Sequence, residues 1–122
     1  MVWYKLLALP DLATAELGKL AELEGETDLE QLIKSIRSKA LREALEWVKR
    51  KLGRKKIKVE KCGRLLTELR LALYGVAEWD MFVGDEEGEM VIAAKFNDLQ
   101  HEWAVVFSEW GECVVIKPTL EL

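Results

Sequence analysis

Apolar residues follow a helical spacing through the middle of the chain. A TDLE stretch has the composition of a capping box, in which Thr27 would accept a hydrogen bond from the Glu30 amide. After it, apolar residues recur at i, i+3, i+4 and i+7 as far as Leu52, and Gly53 is the glycine that often ends a helix. The pattern predicts a helix of about 25 residues, long enough to leave room for a break near residues 35–38.

Four shorter segments lie around that helix. The apolar residues after Asp11 predict a helix that ends near Gly25, and those of residues 62–74 predict another. Residues 2–7 predict a short strand. Residues 56–60, KIKVE, alternate charged and apolar side chains, which indicates either a short strand or an extended connector.

The last third of the chain changes to the period of strands. Four apolar runs follow one another here, and the short segments between them have the composition of tight turns. The four predicted strands are residues 78–83, 89–96, 101–108 and 112–117. Such short connections favour a meander, so the predicted fold class is α+β, with N-terminal helices packed on a C-terminal four-stranded antiparallel meander sheet. We expect one domain over residues 1–122, mainly helical and basic in 1–75 and an acidic sheet in 76–122.

The predicted strands carry apolar residues on both faces. In the third of them, Trp103, Val105 and Phe107 alternate with Ala104 and Val106. A sheet with one solvated face would instead alternate apolar and polar residues. Helices can cover one face, so the second apolar face requires another helix, a subunit partner or a ligand groove.

Charge is segregated along the chain, whose formal net charge is −4. Residues 1–74 hold 16 Lys or Arg and 11 Asp or Glu, a balance of +5, whereas residues 75–122 hold 2 and 11, a balance of −9. The segment 34–64 alone has 13 basic and 3 acidic residues, a balance of +10. Three explanations fit such a segment: a solvated face, a contact with the acidic half of this or another subunit, and a surface that binds a polyanion.

The chain offers few groups for catalysis. His101 is the only histidine, and neither a nucleophile elbow nor a phosphate-binding glycine loop occurs. Asp80 and Lys95 have the order of a metal-dependent nuclease hairpin, but Ala93 stands where that hairpin needs a second acid. We therefore expect a non-enzymatic protein without catalytic residues, metal or cofactor.

Two cysteines, Cys62 and Cys113, lie 51 positions apart. A structural zinc site needs about four Cys or His ligands, so we expect two buried thiols, with a disulfide as the alternative. Glu and Lys are abundant and the amides number three, a composition typical of hyperthermophiles, whose intracellular proteins can carry disulfides. No run of about 18 apolar residues and no secretory signal occurs, so we expect a soluble, cytoplasmic protein with no membrane partner.

Aromatic residues favour the polyanion hypothesis. The chain has five Trp, and three of them lie on predicted strands or in a turn of the sheet. Rings flanked by Lys and Arg stack on the bases of single strands without sequence readout. The predicted stacking residues are Trp79, Trp103, Phe107 and Trp110, and the predicted basic residues are Lys49, Arg50, Lys51, Arg54, Lys55, Lys56 and Lys58.

The order of elements, with the basic stretch KRKLGRKK and the sheet segment HEWAVVFSEWGECVVIKP, resembles the ThermoDBP-related proteins of hyperthermophilic archaea. That family binds single-stranded nucleic acid in an apolar, aromatic-lined cleft flanked by basic residues. The resemblance implies a cleft lined by Trp79, Trp103 and Phe107. Its sides would be formed by Lys49, Arg50, Arg54, Lys55, Lys56 and Lys58. The chain departs from this pattern in acidic residues near the expected cleft, which would repel phosphates: Glu102, Glu109 and Glu112.

Two functional hypotheses follow. In the first, the chain is a low-specificity, self-associating protein that binds single-stranded DNA or RNA through a basic-flanked aromatic cleft. In the second, it is a homo-oligomeric structural or interaction module whose second sheet face is the subunit interface.

Overall fold

Strands from both halves of the chain meet in one sheet. The computed structural model describes residues 11–53, 56–63, 80–97, 102–108 and 112–119. Within these residues the helices are α1 (Leu12–Leu20), α2 (Leu29–Ser35) and α3 (Lys39–Leu52). The strands are β1 (Glu26–Asp28), β2 (Lys56–Lys61), β3 (Met81–Glu86), β4 (Glu89–Asn97), β5 (Glu102–Ser108) and β6 (Cys113–Pro118). The sheet order is β1-β2-β6-β5-β4-β3, and every neighbouring pair is antiparallel.

The chain is α+β, but the prediction of a four-stranded meander was wrong, because the sheet of the described residues has six strands. Strands β3 to β6 pair in consecutive order, as a meander does. Two strands from the first half extend it, since β2 pairs with β6 and β1 pairs with β2. The KIKVE alternation is therefore that of a strand, with Ile57 and Val59 buried and Lys56 and Lys58 exposed.

The long helical segment is divided at the predicted break. Helix α2 ends at Ser35, Ile36 is extended, and Ser38 is the N-cap of α3. The Ser38 hydroxyl accepts a hydrogen bond from the backbone N–H of Leu41 at 3.3 Å, which satisfies one of the free donors at the start of a helix. Gly53 ends α3 in the left-handed conformation, with φ of 63°. The break and the glycine stop are both confirmed.

The predicted capping box at Thr27 was wrong. Asp28 is the N-cap of α2, and its carboxylate accepts a hydrogen bond from the Glu30 backbone N–H at 2.9 Å. Thr27 lies in β1 and pairs with Ile57 of β2. Strand pairing therefore holds Thr27 in the sheet, and the N-cap lies one residue later than the capping box places it.

The three described helices pack on one face of the sheet, here called the inner face. Helix α3 runs antiparallel to β3, with Ala40 beside Gly84 and Trp47 stacked on Phe82. A methyl group on Gly84 would lie 2.8 Å from the Ala40 carbonyl oxygen, so only glycine permits this close approach. Burying one large apolar side chain contributes about 1.5–3 kcal/mol. Those fully buried in this layer include Leu41, Leu45, Val48, Val106, Val114 and Ile116.

Two buried carboxylates hold the helices in place on the inner face. Glu89 of β4 accepts hydrogen bonds from the Ala13 backbone N–H at 2.8 Å and from the Ser38 hydroxyl at 2.9 Å. Glu16 of α1 accepts from the backbone N–H groups of Arg37, at 2.9 Å, and Ser38, at 2.7 Å. Because buried carboxylates need such partners, this network has a structural role.

The opposite, outer face of the sheet carries a second apolar cluster. Its buried members are Ile92, Ala94, Val105, Phe107 and Cys113. Val105 is 2% exposed and Phe107 is fully buried. The second apolar face expected from the sequence is real, and at this end of the sheet it is closed rather than open to a ligand.

Cys62 and Cys113 form a disulfide with a Cα–Cα distance of 5.4 Å, so the expectation of two free thiols was wrong. The backbone N–H of Cys62 also donates to the Cys113 carbonyl at 3.1 Å, which brings the two chains together where β2 and β6 meet. Closing a loop of 51 positions removes unfolded-state entropy equivalent to about 4 kcal/mol in the chain-entropy model. The bridge therefore fixes β2 to the C-terminal meander.

Two predicted elements lie wholly or mostly outside the described residues. The strand over residues 2–7 lies outside the described residues, and so does the helix over residues 62–74 apart from its first two positions. Those two positions, Cys62 and Gly63, are not helical.

Candidate nucleic-acid interface

One row of side chains crosses the outer face at the end of the sheet away from the disulfide. Lys58 of β2 pairs with Lys117 of β6, and the pairing of Ala104 with Ile116 brings Trp103 of β5 beside Lys117. We call Lys58, Lys117 and Trp103 the open row. The Lys117 ammonium lies 4.6 Å from the centroid of the Trp103 ring, within the range of a cation–π interaction.

The open row is accessible to solvent. Trp103 is half-buried, and the side chains of Lys58 and Lys117 are 52% and 32% exposed. Lys56 is exposed and lies two residues before Lys58, so it projects from the same face of β2. The structure therefore brings together three of the predicted site residues, Trp103, Lys56 and Lys58.

Glu60 bridges the two lysines of the open row. One of its carboxylate oxygens accepts a hydrogen bond from Lys117 at 2.8 Å, and the other lies 3.8 Å from the Lys58 ammonium. The hydrogen bond from Lys117, followed by the charges of Lys117 and Lys58, lowers the pKa of Glu60 below its ordinary value. Glu60 is therefore ionised at neutral pH, and the three groups carry a net charge of about +1.

At the other end of the outer face, the surface of β2, β6 and β5 is closed, whereas Val83 of β3 is 51% exposed. The rows that follow the open row contain Val105 and Val115, each 2% exposed, and then Phe107 beside the disulfide. We call Val105, Phe107, Cys62 and Cys113 the sealed end. Because the Phe107 ring is fully buried, it is not accessible to a base in this conformation, although the sequence predicted it to stack.

The cations of α3 belong to the helical layer rather than to the outer face. Lys49 lies 3.8 Å from Glu30, and Lys51 lies 3.2 Å from Asp80, which precedes β3. Lys51 also lies 5.6 Å from the ring centroid of Trp47, a residue that is 8% exposed. The predicted basic arm is thus divided between two layers, although both parts lie at the same end of the sheet.

Arg50 is exposed and, among the described residues, has no ion-pair partner. It lines a groove of about 410 Å³ between α2 and α3, together with Lys34 and Ile33. Lys49, Glu30 and Glu46 also line this groove, so its three cations and two carboxylates leave a net charge of about +1. Unlike the open row, the groove has no aromatic ring among its lining residues on which a base could stack.

The acidic residues that the sequence placed near the cleft lie elsewhere. Glu102 alternates with Trp103, so it projects from the inner face, and its carboxylate lies 3.2 Å from the Lys95 ammonium. Glu112 precedes β6 at the sealed end and approaches Gly18 of α1. Neither carboxylate competes for the open row, which removes part of the expected repulsion. Glu109 lies outside the described residues.

The nuclease arrangement considered from the sequence is only partly present: the Lys95 backbone N–H donates to the Asp80 carbonyl at 3.0 Å, so these two residues are neighbours, but Ala93 supplies no second acid. Asp80 pairs with Lys51 and Lys95 pairs with Glu102. In the described ranges no three Cys, His, Asp or Glu side chains are grouped so that they could hold a metal ion. Four predicted site residues, Arg54, Lys55, Trp79 and Trp110, lie outside these ranges.

Two residues of the site were missed in the sequence, Lys117 and Glu60. Lys117 lies two positions after Val115 in the run CVVIK, so strand alternation alone places both side chains on the same face of the sheet. The missing information was the pairing of β2 with β6, which brings Lys58 and Glu60 to Lys117. Local sequence patterns do not specify which distant strands become neighbours.

None of the helices in the described residues is both long enough and apolar enough to cross a membrane. Comparisons with protein-family models, with curated proteins and with solved structures found no match. The resemblance to the ThermoDBP-related proteins therefore remains a prediction, and the functional argument rests on the residues of this chain.

Proposed function

We propose that the protein is a non-enzymatic, low-specificity single-stranded nucleic-acid-binding protein that uses the open row and Lys56. The observation that supports the proposal most is the Lys117 ammonium, 4.6 Å above an accessible Trp103 ring, with Lys58 directly across the sheet. An unpaired base would stack on the ring, and the ammonium groups would contact the adjoining phosphates. No cofactor or metal enters this scheme.

The form of the surface favours single strands over duplexes. The Trp103 ring, at one end of the interior strand β5, offers a stacking platform, which an unpaired base can reach but a base inside a duplex cannot. Lys117 has a flexible stem, so its ammonium can move from the ring to a phosphate when a base takes the ring face. Contacts of this kind read no base edge, which explains the low sequence specificity.

The test is an anisotropy titration of a labelled single-stranded oligonucleotide with the wild type and with Trp103→Ala. Loss of one stacked base costs about 1–3 kcal/mol, so we expect affinity to fall about 5- to 150-fold. The matched control is Trp47→Phe, which alters an indole buried in the inner layer and should leave affinity unchanged. Equal affinities for the wild type and Trp103→Ala would contradict the proposal.

The alternative of a homo-oligomeric interaction module also stays a prediction, and Val83, 51% exposed on the outer face, is an apolar residue that such an interface could bury. Its interface was to be the second sheet face, but the central residues of that face are already buried within one chain. Self-association, by this face or another surface, stays a prediction, which sedimentation velocity over a range of protein concentrations would test.

A cytoplasmic location and a hyperthermophilic source also stay predictions. The disulfide is compatible with both together, because intracellular proteins of hyperthermophiles carry disulfides whereas those of most other organisms do not. The source would account for the bridge without an oxidising compartment.

A further inference from the structure

The two lysines of the open row share one carboxylate. Glu60 contacts Lys117 with one oxygen, at 2.8 Å, and Lys58 with the other, at 3.8 Å. Lys58 and Lys117 face each other across the β2–β6 pair, so their charges would repel without an anion between them. The Glu60 carboxylate therefore neutralises part of the repulsion between the Lys58 and Lys117 ammonium groups.

A phosphate of a bound strand needs the same partners as this carboxylate. Both groups present oxygens that accept hydrogen bonds from an ammonium, and charge assistance makes both kinds of bond strong. The Lys117 ammonium has three N–H donors, but a phosphate bound to it lies close to the Glu60 carboxylate, and the two anions repel each other. In the unbound protein Lys117 is oriented by Glu60 rather than exposed as an unpaired cation.

We infer that Glu60 is an internal competitor for the phosphates of the bound strand: it holds Lys117 and Lys58 in position but limits the affinity of the open row. This inference rests on the proposed function and adds a residue that sets its strength. Binding requires Lys117 to exchange a carboxylate oxygen for a phosphate oxygen, so part of the gain from each new contact is lost in breaking the old one.

The chain supplies a matched control for the charge of Glu60. Glu26 of β1 lies directly opposite Lys58, on the far side from Lys117, and is exposed. In the described part of the chain it forms no ion pair with either lysine. Glu26→Gln therefore removes the same charge beside Lys58, two strands from Lys117, without releasing Lys117.

The experiment compares the affinity of the wild type, Glu60→Gln and Glu26→Gln for one labelled single-stranded oligonucleotide at low salt. Glutamine keeps the shape of the side chain and removes the charge. An exposed ion pair is worth about 0.2–1 kcal/mol, so Glu60→Gln should bind about 1.4- to fivefold more tightly than the wild type. Glu26→Gln should change affinity less.

A double-mutant cycle shows whether the gain passes through Lys117. In a Lys117→Ala background, Glu60→Gln should raise affinity much less than it does in the wild-type background. A gain for Glu60→Gln no larger than that for Glu26→Gln, or one that persists without Lys117, overturns the inference while leaving the proposed function intact. If no variant binds the oligonucleotide, the proposed function and the inference both fail.

Discussion

The two ends of the outer face are built from the same three strands and have opposite properties. At the sealed end, β2 and β6 are joined by the disulfide and β5 contributes the buried Phe107 ring. The open row lies four positions from these residues along each strand. There the same strands carry Lys58, Lys117 and the half-buried Trp103. One end stabilises the sheet, and the other presents charge and an aromatic ring to solvent.

This difference shows how a strand can combine a core residue and a binding residue on one face. Side chains at i and i+2 share a face, so β5 places Trp103, Val105 and Phe107 in line. Burial falls along that line from the closed rows to the open one. The buried rows fix the strand backbones, so Trp103 and the two lysines are held in register before binding, which lowers the entropy lost on binding.

The largest expected effect is on the free energy of unfolding, which a substitution at the sealed end should lower more than one in the open row. Phe107→Ala removes a fully buried ring at the sealed end and should lower the free energy of unfolding by about 3–5 kcal/mol. Trp103→Ala should cost less, because part of the Trp103 side chain is already in contact with solvent. Urea denaturation followed by circular dichroism measures both. Similar losses for the two variants would mean that Trp103 belongs to the core.

The disulfide should matter for stability but not for binding. Replacing Cys62 and Cys113 together by Ser should lower the free energy of unfolding by about 2–4 kcal/mol, because the unfolded chain regains the freedom of a long loop. The β2–β6 hydrogen bonds remain, so affinity for a single strand at 25 °C should change less than about twofold. A large loss of affinity in the folded variant would show that the two ends are coupled.

The role of Lys117 should appear in the dependence of binding on salt. Each phosphate contact on a single strand contributes a slope of about −0.7 to log K against log salt concentration, so Lys117→Ala should make the slope shallower by about that amount. Lys19 is an exposed lysine on α1, and Lys19→Ala is the matched control. Slopes that are equal for the two variants would remove Lys117 from the binding surface.

The smallest expected effect concerns pH. The Glu60 pKa is lowered from its ordinary value of 4.5, first by the Lys117 hydrogen bond, so Lys117→Ala should raise it again. The sign follows from the lowered pKa: the pair stabilises the fold above the unfolded-state pKa, and this contribution is lost as pH falls through the folded-state pKa. Carboxyl-detected NMR titration between pH 2.5 and about 6 would show the change. An unchanged Glu60 pKa in the variant would disprove the pairing in solution.

Much of the fold could be predicted from local patterns. The four C-terminal strands, the break before Ser38 and the stop at Gly53 follow from alternation, spacing and glycine. The six-stranded order could not, because the pairing of β2 with β6 joins segments that lie far apart in the chain. A local pattern shows that a segment is a strand but not which neighbour it takes.

The candidate site could also be predicted only in part. Alternation assigned Trp103 and Phe107 to one face, but it did not show that the face is closed at Phe107 and accessible at Trp103. The basic stretch predicted a concentration of positive charge, whereas the structure divides its described residues between α3 and β2. Lys117 and Glu60 entered the site only through strand register.

The central claim is that a single strand stacks on Trp103 in the open row. The most direct measurement follows the indole N–H signals of the five Trp in a ¹H–¹⁵N NMR spectrum while a short single-stranded oligonucleotide is added at low salt. The account predicts a saturable shift of the Trp103 signal and no shift of the signal of the buried Trp47. A Trp103 signal that stays in place while the oligonucleotide binds elsewhere would contradict it.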